Sequence, residues 1–168
     1  MKTLETTRLI LRDWEKTDLD QMFVFLSNPH VTIPEGATPC KTLEECKGVL
    51  DYLLSVRNNY AIVLKENGTV IGSIGLNADA KGNKNARNLG FCLAEEYWGR
   101  GIMSEALAMV IAHAKEITNA LSATHNQNQI SEHLLKKFGF QQVDVICHVK
   151  RKCEQDYHDE PYYLLELK

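Results

Sequence analysis

Apolar and polar positions alternate along "RLILRDW" near the start of the chain, and the run is rich in β-formers, so it predicts a first strand. The period then changes. After "TDLD", which offers helix caps, Leu19, Met22, Phe23 and Leu26 recur at i, i+3, i+4 and i+7, the stripe of an amphipathic helix. "SNPHVTIPEGATPC" holds three of the four prolines and predicts a loop. Thr42 and Glu45 have capping-box spacing. Behind them Cys46, Val49, Leu50, Leu53 and Leu54 line one face of a second helix.

In "YAIVLKENGTVIGSIGL", two β-rich runs flank Asn67-Gly68, a strong hairpin signal. Asn67-Gly68-Thr69 also fits a glycosylation sequon, but without a signal peptide only the turn is read. "DAKGNKNA" is a second turn and "RNLGFCLA" the third strand of this meander. Gly90 within that strand predicts a bulge or a close backbone approach. Next, Ala106, Leu107, Val110, Ile111 and Ala114 form one apolar helix face, and "ALSATHN" is a short strand. Strand, helix and strand in this order read as a parallel crossover. "ISEHLLKKFGF" is a short helix with Leu134, Leu135 and Phe138 inward and Gly139 beyond its end. "QQVDVICHVKRK" and "PYYLLELK" close the chain as a hairpin. The predicted class is mixed α/β (α+β): an antiparallel meander feeding one parallel strand pair, with flanking helices, in a single domain over residues 1–168.

Composition narrows the function. A chain of ~150 residues buries about 70% of its unfolded surface, so no disulfide or metal is needed for stability. The net charge of −3 provides no global field toward nucleic acid or anionic lipid, and neither partner is expected. No apolar run approaches the ~20 residues of a membrane span. "MKTLETTRLILRDW" carries charges where a signal peptide is apolar. The 5 cysteines show no CxxC. The best metal candidates are Cys147, His148, Cys153 and His158, but hairpin alternation divides them between two faces, and no metal is expected. Free thiols without a signal point to a cytoplasmic protein, and a monomer or homodimer is expected.

The candidate chemistry centres on "YWGRGIMSEAL", Tyr97 to Leu107. A helix N-terminus presents unpaired N–H groups and the positive end of the macrodipole. Gly99 and Gly101 let the backbone approach an anion, Arg100 adds charge and Ser104 a hydroxyl, so the stretch reads as a phosphate cradle. It is neither of two familiar nucleotide loops. The dinucleotide fingerprint needs a third glycine, where Ile102, Met103 and Ser104 follow instead, and the nucleotide-hydrolase loop needs Gly-Lys-Ser/Thr.

"LGFCLAEEYWGRGIMSEAL" followed by "NQNQISEHLLKKFGF" resembles the Gcn5-related N-acetyltransferases (GNAT). With "LETTRLILRDWEKTDLDQM" in front, the chain is similar to the subgroup containing the N-terminal acetyltransferases of ribosomal proteins, the alanine acetyltransferases among them. The resemblance runs from Leu4 to Leu167. It places the family's pyrophosphate loop on Trp98 to Met103, with Gly101 as its central glycine, Trp98 in place of a polar residue and Met103 in place of a small one. It implies acetyl-coenzyme A held by Trp98, Gly99, Arg100, Gly101, Ile102, Met103 and Ser104, largely through backbone N–H groups. Asn128 and Ser131, ahead of Gly139 and Phe140, match the family's Asn-x-x-Ser motif, which implies that Asn128 contacts the pantetheine or pyrophosphate region. Cys92 and Leu93 lie on the strand that would pair with the pantetheine arm, across a parallel pair splayed at Gly90.

The reaction this implies is direct attack of a primary amine, on a protein N-terminus or a small molecule, on a thioester. It requires a base, an oxyanion donor and an acid. A backbone N–H near Leu93 is the oxyanion donor. Relatives carry a tyrosine acid where this chain has Leu135, which leaves the Ser131 hydroxyl as acid candidate; its alternative role is to cap the last helix. Relatives carry a glutamate where this chain has Arg87-Asn88, which leaves His125 as base candidate or as an ordinary polar strand end. The two missing groups keep open a second reading, a non-catalytic coenzyme A-binding or sensor domain. Glu95 and Glu96 read as a solvated turn, and Lys150-Arg151-Lys152 as a solvated hairpin. Glu154, Asp156, Asp159 and Glu160 are expected beside the acceptor entrance as an attraction for a cationic amine, or else as a solvated turn. Failing that, the acceptor lies against "SNPHVTIPEG".

Overall fold

The alternating start folds as β1 (Leu4–Glu5) and β2 (Leu9–Arg12), with Leu9 and Leu11 fully buried. Helices α1 (Leu19–Leu26) and α3 (Leu43–Val56) follow. The computed structural model describes residues 1–124, 128–150 and 154–168, with Asp144 and Val145 described by backbone alone. Three local readings change. "TDLD" does not cap α1: the Asp18 carboxylate takes both Arg12 guanidinium N–H groups at 2.8 Å and the Glu15 N–H at 2.8 Å. The proline-rich segment is not all loop. It contains the single turn α2 (Pro29–Thr32), where Asn28 accepts from the His30 N–H and Pro29 opens the helix. At α3, Thr42 accepts from the Glu45 N–H at 3.2 Å, but the Glu45 carboxylate returns to the Lys41 N–H rather than closing the box on Thr42.

The meander is β3 (Asn59–Leu64), β4 (Val70–Ala78) and β5 (Ala86–Leu93). β3 is buried on both faces: Tyr60, Ile62 and Leu64 join one core, and Ala61 and Val63 the other. The first core lies under α4 (Ile102–Ile117), through Ala106, Leu107, Val110 and Ala114. The second lies under α1 and α3, through Met22, Phe25, Cys46 and Leu50. After α4 come β6 (Ala120–Thr124), α5 (Gln129–Lys137), β7 (Gln141–Val149) and β8 (His158–Glu166). The closing hairpin forms, and β8 inserts between β6 and β7, giving the sheet order β1-β2-β3-β4-β5-β6-β8-β7.

The parallel pair decides where a site can form. β5 meets β6 only from Ala86 to Asn88, opposite Ala120 to Ser122. That end is tied together by the Asp79 carboxylate, which accepts from Ser122 Oγ, from the Tyr162 hydroxyl at 2.7 Å and from the N–H groups of Lys81 and Asn83. Beyond Asn88 the strands separate, as the resemblance implied. Gly90 carries no bulge: it sits opposite Gly75 in unbroken register with β4.

Cys147 is buried and its β7 neighbour His148 exposed, so this part of the metal candidate set faces two ways; Cys153, like Arg151 and Lys152, lies outside the described residues. No helix among the described residues is long and apolar enough to cross a membrane.

Candidate active site

The loop ahead of α4 takes its shape from two glycines. Gly99 and Gly101 both have φ 72°, the left-handed region that disfavours any side chain. Gly101 is the residue before the helix, and no side chain caps it. The first helical bond runs from the Glu105 N–H to the Gly101 carbonyl, which leaves the N–H groups of Ile102, Met103 and Ser104 without helical partners. A clamp from the first hairpin holds this turn in place. Arg8 donates to the Arg100 carbonyl at 3.0 Å, and its Nε donates to Glu105 at 2.6 Å. Thr6 Oγ1 and the Arg8 N–H also donate to Glu105. Partial burial raises the Glu105 pKa, but these bonds outweigh it and hold the carboxyl below its ordinary value. The Arg100 guanidinium does not join the turn's N–H groups; it lies over the Tyr97 ring, 5.5 Å from the centroid.

β5 supplies the second wall. The Ala94 N–H bonds the Ile71 carbonyl at 2.8 Å, so by antiparallel alternation the Leu93 N–H and carbonyl turn away from β4, toward the gap. Trp98 Nε1 donates to the Leu93 carbonyl at 2.7 Å, bracing the open strand, and leaves the Leu93 N–H facing the gap. The Cys92 thiol is pushed up to about 12, first by burial and then by the charge of Glu35, so it is a neutral side chain and no nucleophile.

α5 supplies the third wall. Asn128 is its cap, accepting from the N–H groups of Ile130 at 3.1 Å and Ser131 at 3.2 Å. This corrects the alternative reading of Ser131: it is a buried residue inside the first turn, not the cap. Leu135 is buried beneath it. His125 lies outside the described residues.

Two cavities open between these walls. The larger, about 830 Å³, is bordered by Cys92 and Leu93 of β5, by Trp98, Gly99 and Gly101 of the loop, by Ile102, Met103 and Ser104 of α4, and by Asn128 and Ser131 at α5. Every residue expected at the cofactor therefore borders one space except Arg100. The smaller, about 180 Å³, runs into the β5–β6 gap along Asn77, Asn88 and Gly90. Pro34, Glu35, Phe91 and Ser131 border both.

The sequence reading treated the segment holding His30, Pro34 and Glu35 only as a fallback, yet it walls the larger cavity. Glu95 is exposed in a short turn, as read, but its carboxylate is engaged. It accepts from Asn28 Nδ2 at 2.7 Å and pairs with His30 Nδ1 at 3.1 Å, and these contacts, Asn28 first, hold its carboxyl below the ordinary value. The acidic hairpin is elsewhere. Glu160 is 1% exposed against His158 Nε2, Glu154 pairs with His158 Nδ1, Asp159 with His148, and none of them borders either cavity.

Residues 8–141 match the acetyltransferase (GNAT) domain family. The chain belongs to the GNAT acetyltransferases. It is 30% identical over 154 residues to the uncharacterized N-acetyltransferase p20 of Bacillus licheniformis, covering 87% of this chain and 86% of that one. A GNAT-family acetyltransferase from Bacillus anthracis shares the fold, with a TM-score of 0.83 at 20% identity over 99% of both chains. So does a Salmonella typhimurium acetyl transferase that modifies the N-terminal serine of a 50S ribosomal subunit protein, with a TM-score of 0.79 at 19% identity over 99% of this chain and 100% of that one. GNAT enzymes take their acetyl group from acetyl-coenzyme A, and this chain is an acetyltransferase of that family. Its residues fit that donor: unpaired N–H groups at a side-chain-free turn suit phosphates, and an open strand edge suits an extended amide-bearing arm.

Proposed function

We propose that the protein transfers the acetyl group to a primary amine, on a protein N-terminus or a small molecule, by direct attack of the amine on the thioester. The observation that carries this reading is the shared 830 Å³ cavity, with the unpaired N–H groups of α4 on one side and the open edge of β5 on the other. The N–H groups of Ile102, Met103 and Ser104 bind the pyrophosphate. The Leu93 N–H donates to the thioester oxygen as charge develops there. The Ser131 hydroxyl, bordering both cavities, gives a proton to the departing sulfur, and His125 is the candidate base. An α-amine, with a pKa of about 7.7–8.0 against about 10.4 for lysine, needs the least help to lose its proton. The Salmonella neighbour's action on an N-terminal serine favours a protein N-terminus among the acceptors.

Calorimetry with acetyl-coenzyme A, beside thiol release over an amine panel, tests the reading. It expects binding and turnover of at least one primary amine. Ser131→Ala should lower kcat more than it raises KM for acetyl-coenzyme A. An unchanged kcat removes Ser131 from the chemistry, and turnover absent on every amine contradicts the function.

A further inference from the structure

The smaller cavity has a floor that sequence patterns do not reveal. On one face of the β4–β5 ladder the successive cross-strand pairs are Gly75–Gly90 and Asn77–Asn88. Gly75 is not a spacer. A Cβ there would lie 2.1 Å from Asn59 Oδ1, so its absence lets the Asn59 side chain lie across the strand. Asn59 Nδ2 thereby reaches Asn77 Oδ1 at 3.4 Å, and Asn58 Nδ2 reaches the same oxygen at 2.9 Å. With its oxygen engaged by two donors, Asn77 is fixed with its NH₂ toward Gly90, whose Cβ would lie 3.6 Å from Asn77 Nδ2. Asn88 is fixed the other way round: its NH₂ points to Ser122 Oγ at 3.4 Å, and its carbonyl is left as the acceptor. Glu35 is the one formally charged residue among the described residues bordering this cavity.

Resting on the acetyl-transfer reading above, we infer that Glu35, Asn77 and Asn88 select the acceptor: Glu35 and the Asn88 carbonyl take the N–H groups of the incoming amine, and Asn77 Nδ2 donates to a carbonyl oxygen beside it. A donor and a carboxylate in one small space recognise an amine that carries a neighbouring carbonyl better than a plain alkylamine, whose apolar end would leave Asn77 without a partner. Volume sets the size. A cavity of about 180 Å³ compares with the roughly 150 Å³ that holds one benzene ring. It takes a single small residue, not a linked ring system. Position agrees with this role, because Glu35 also borders the larger cavity and so stands where acceptor and acetyl donor must meet.

The test uses alaninamide and isopropylamine, which differ by a carboxamide in place of a methyl group. Because their basicities differ, the readout is the change in their kcat/KM ratio between the native protein and a variant. Asn77→Asp keeps an oxygen for Asn58 and Asn59 but removes the donor. It should lower the alaninamide-to-isopropylamine ratio at least tenfold, with the melting temperature preserved. Glu35→Gln should lower kcat/KM at least tenfold for both amines, with the Kd of acetyl-coenzyme A unchanged by calorimetry. An unchanged ratio in Asn77→Asp, or native kcat/KM in Glu35→Gln, overturns the inference alone. A native protein that does not bind acetyl-coenzyme A overturns the acetyl-transfer reading, and this inference with it.

Discussion

The two ends of the β5–β6 pair are built on opposite terms. At the closed end, Ala86 to Asn88 pair with β6, and the side chains close their own bonds around Asp79, Ser122 and Tyr162. Ser122 is fully buried and Tyr162 is 5% exposed. At the open end the same strand runs on to Leu93 without that neighbour. There the Leu93 carbonyl is braced by one indole, while the Leu93 N–H and the first N–H groups of α4 face a cavity. Buried backbone groups are rarely left without a partner. One end has used its hydrogen-bonding capacity to hold the sheet together; the other keeps it for a ligand. The first should govern stability and the second binding.

Substitutions at the two ends should separate these roles. The largest effect belongs to the closed end. Asp79→Ala leaves the Ser122 and Tyr162 hydroxyls and two N–H groups without their acceptor and should cost about 2 kcal/mol of stability, read from denaturant midpoints. The same carboxylate gives a pH signature. Burial raises its pKa, but the bonds from Ser122, Tyr162 and the backbone outweigh this, so the folded value lies below the unfolded one. Its contribution is therefore complete above the unfolded value of about 3.9 and fades as the pH falls through the lowered folded value. Asp79→Ala should show a smaller loss of stability over that acid range. Next, at the open end, Gly101→Val forces a β-branched residue into φ 72° and should weaken acetyl-coenzyme A binding at least tenfold, about 1.4 kcal/mol. Native affinity in a folded variant would refute the cradle. Trp98→Phe removes the brace on the Leu93 carbonyl and should cost about 1 kcal/mol. The smallest change in stability is expected for Gly90→Ala, whose Cβ meets Asn77 only at an ordinary 3.6 Å. The fold should shift by less than about 0.5 kcal/mol, while kcat/KM for the acceptor falls as the methyl group enters the smaller cavity.

Much of this contrast was legible in the chain, for local reasons. The helix-start glycines, the period of α4 and the Asn-x-x-Ser motif are short-range features, and they identified one wall of the site after another. What escaped depends on distant partners. Asn28 looked like part of a loop because its cap of α2 is a single turn long and its bond to Glu95 joins positions far apart in sequence. Glu35 had no periodic signal at all, since an irregular segment carries it to the cavities. Gly90 was read as a bulge or a close backbone approach because glycine in a strand signals either distortion or missing bulk, and only the register excludes the bulge. For the acidic hairpin, charge count does not show that histidines engage Glu154, Asp159 and Glu160.

The central claim is that the open end, and not the closed one, is completed by acetyl-coenzyme A. Amide hydrogen exchange with and without saturating acetyl-coenzyme A tests it directly. The account predicts new protection at the N–H groups of Leu93, Ile102, Met103 and Ser104, with exchange at Arg87, Asn88 and Leu121 unchanged. Protection spread evenly over both ends, or none at Leu93 and the α4 turn despite saturated binding, would contradict it.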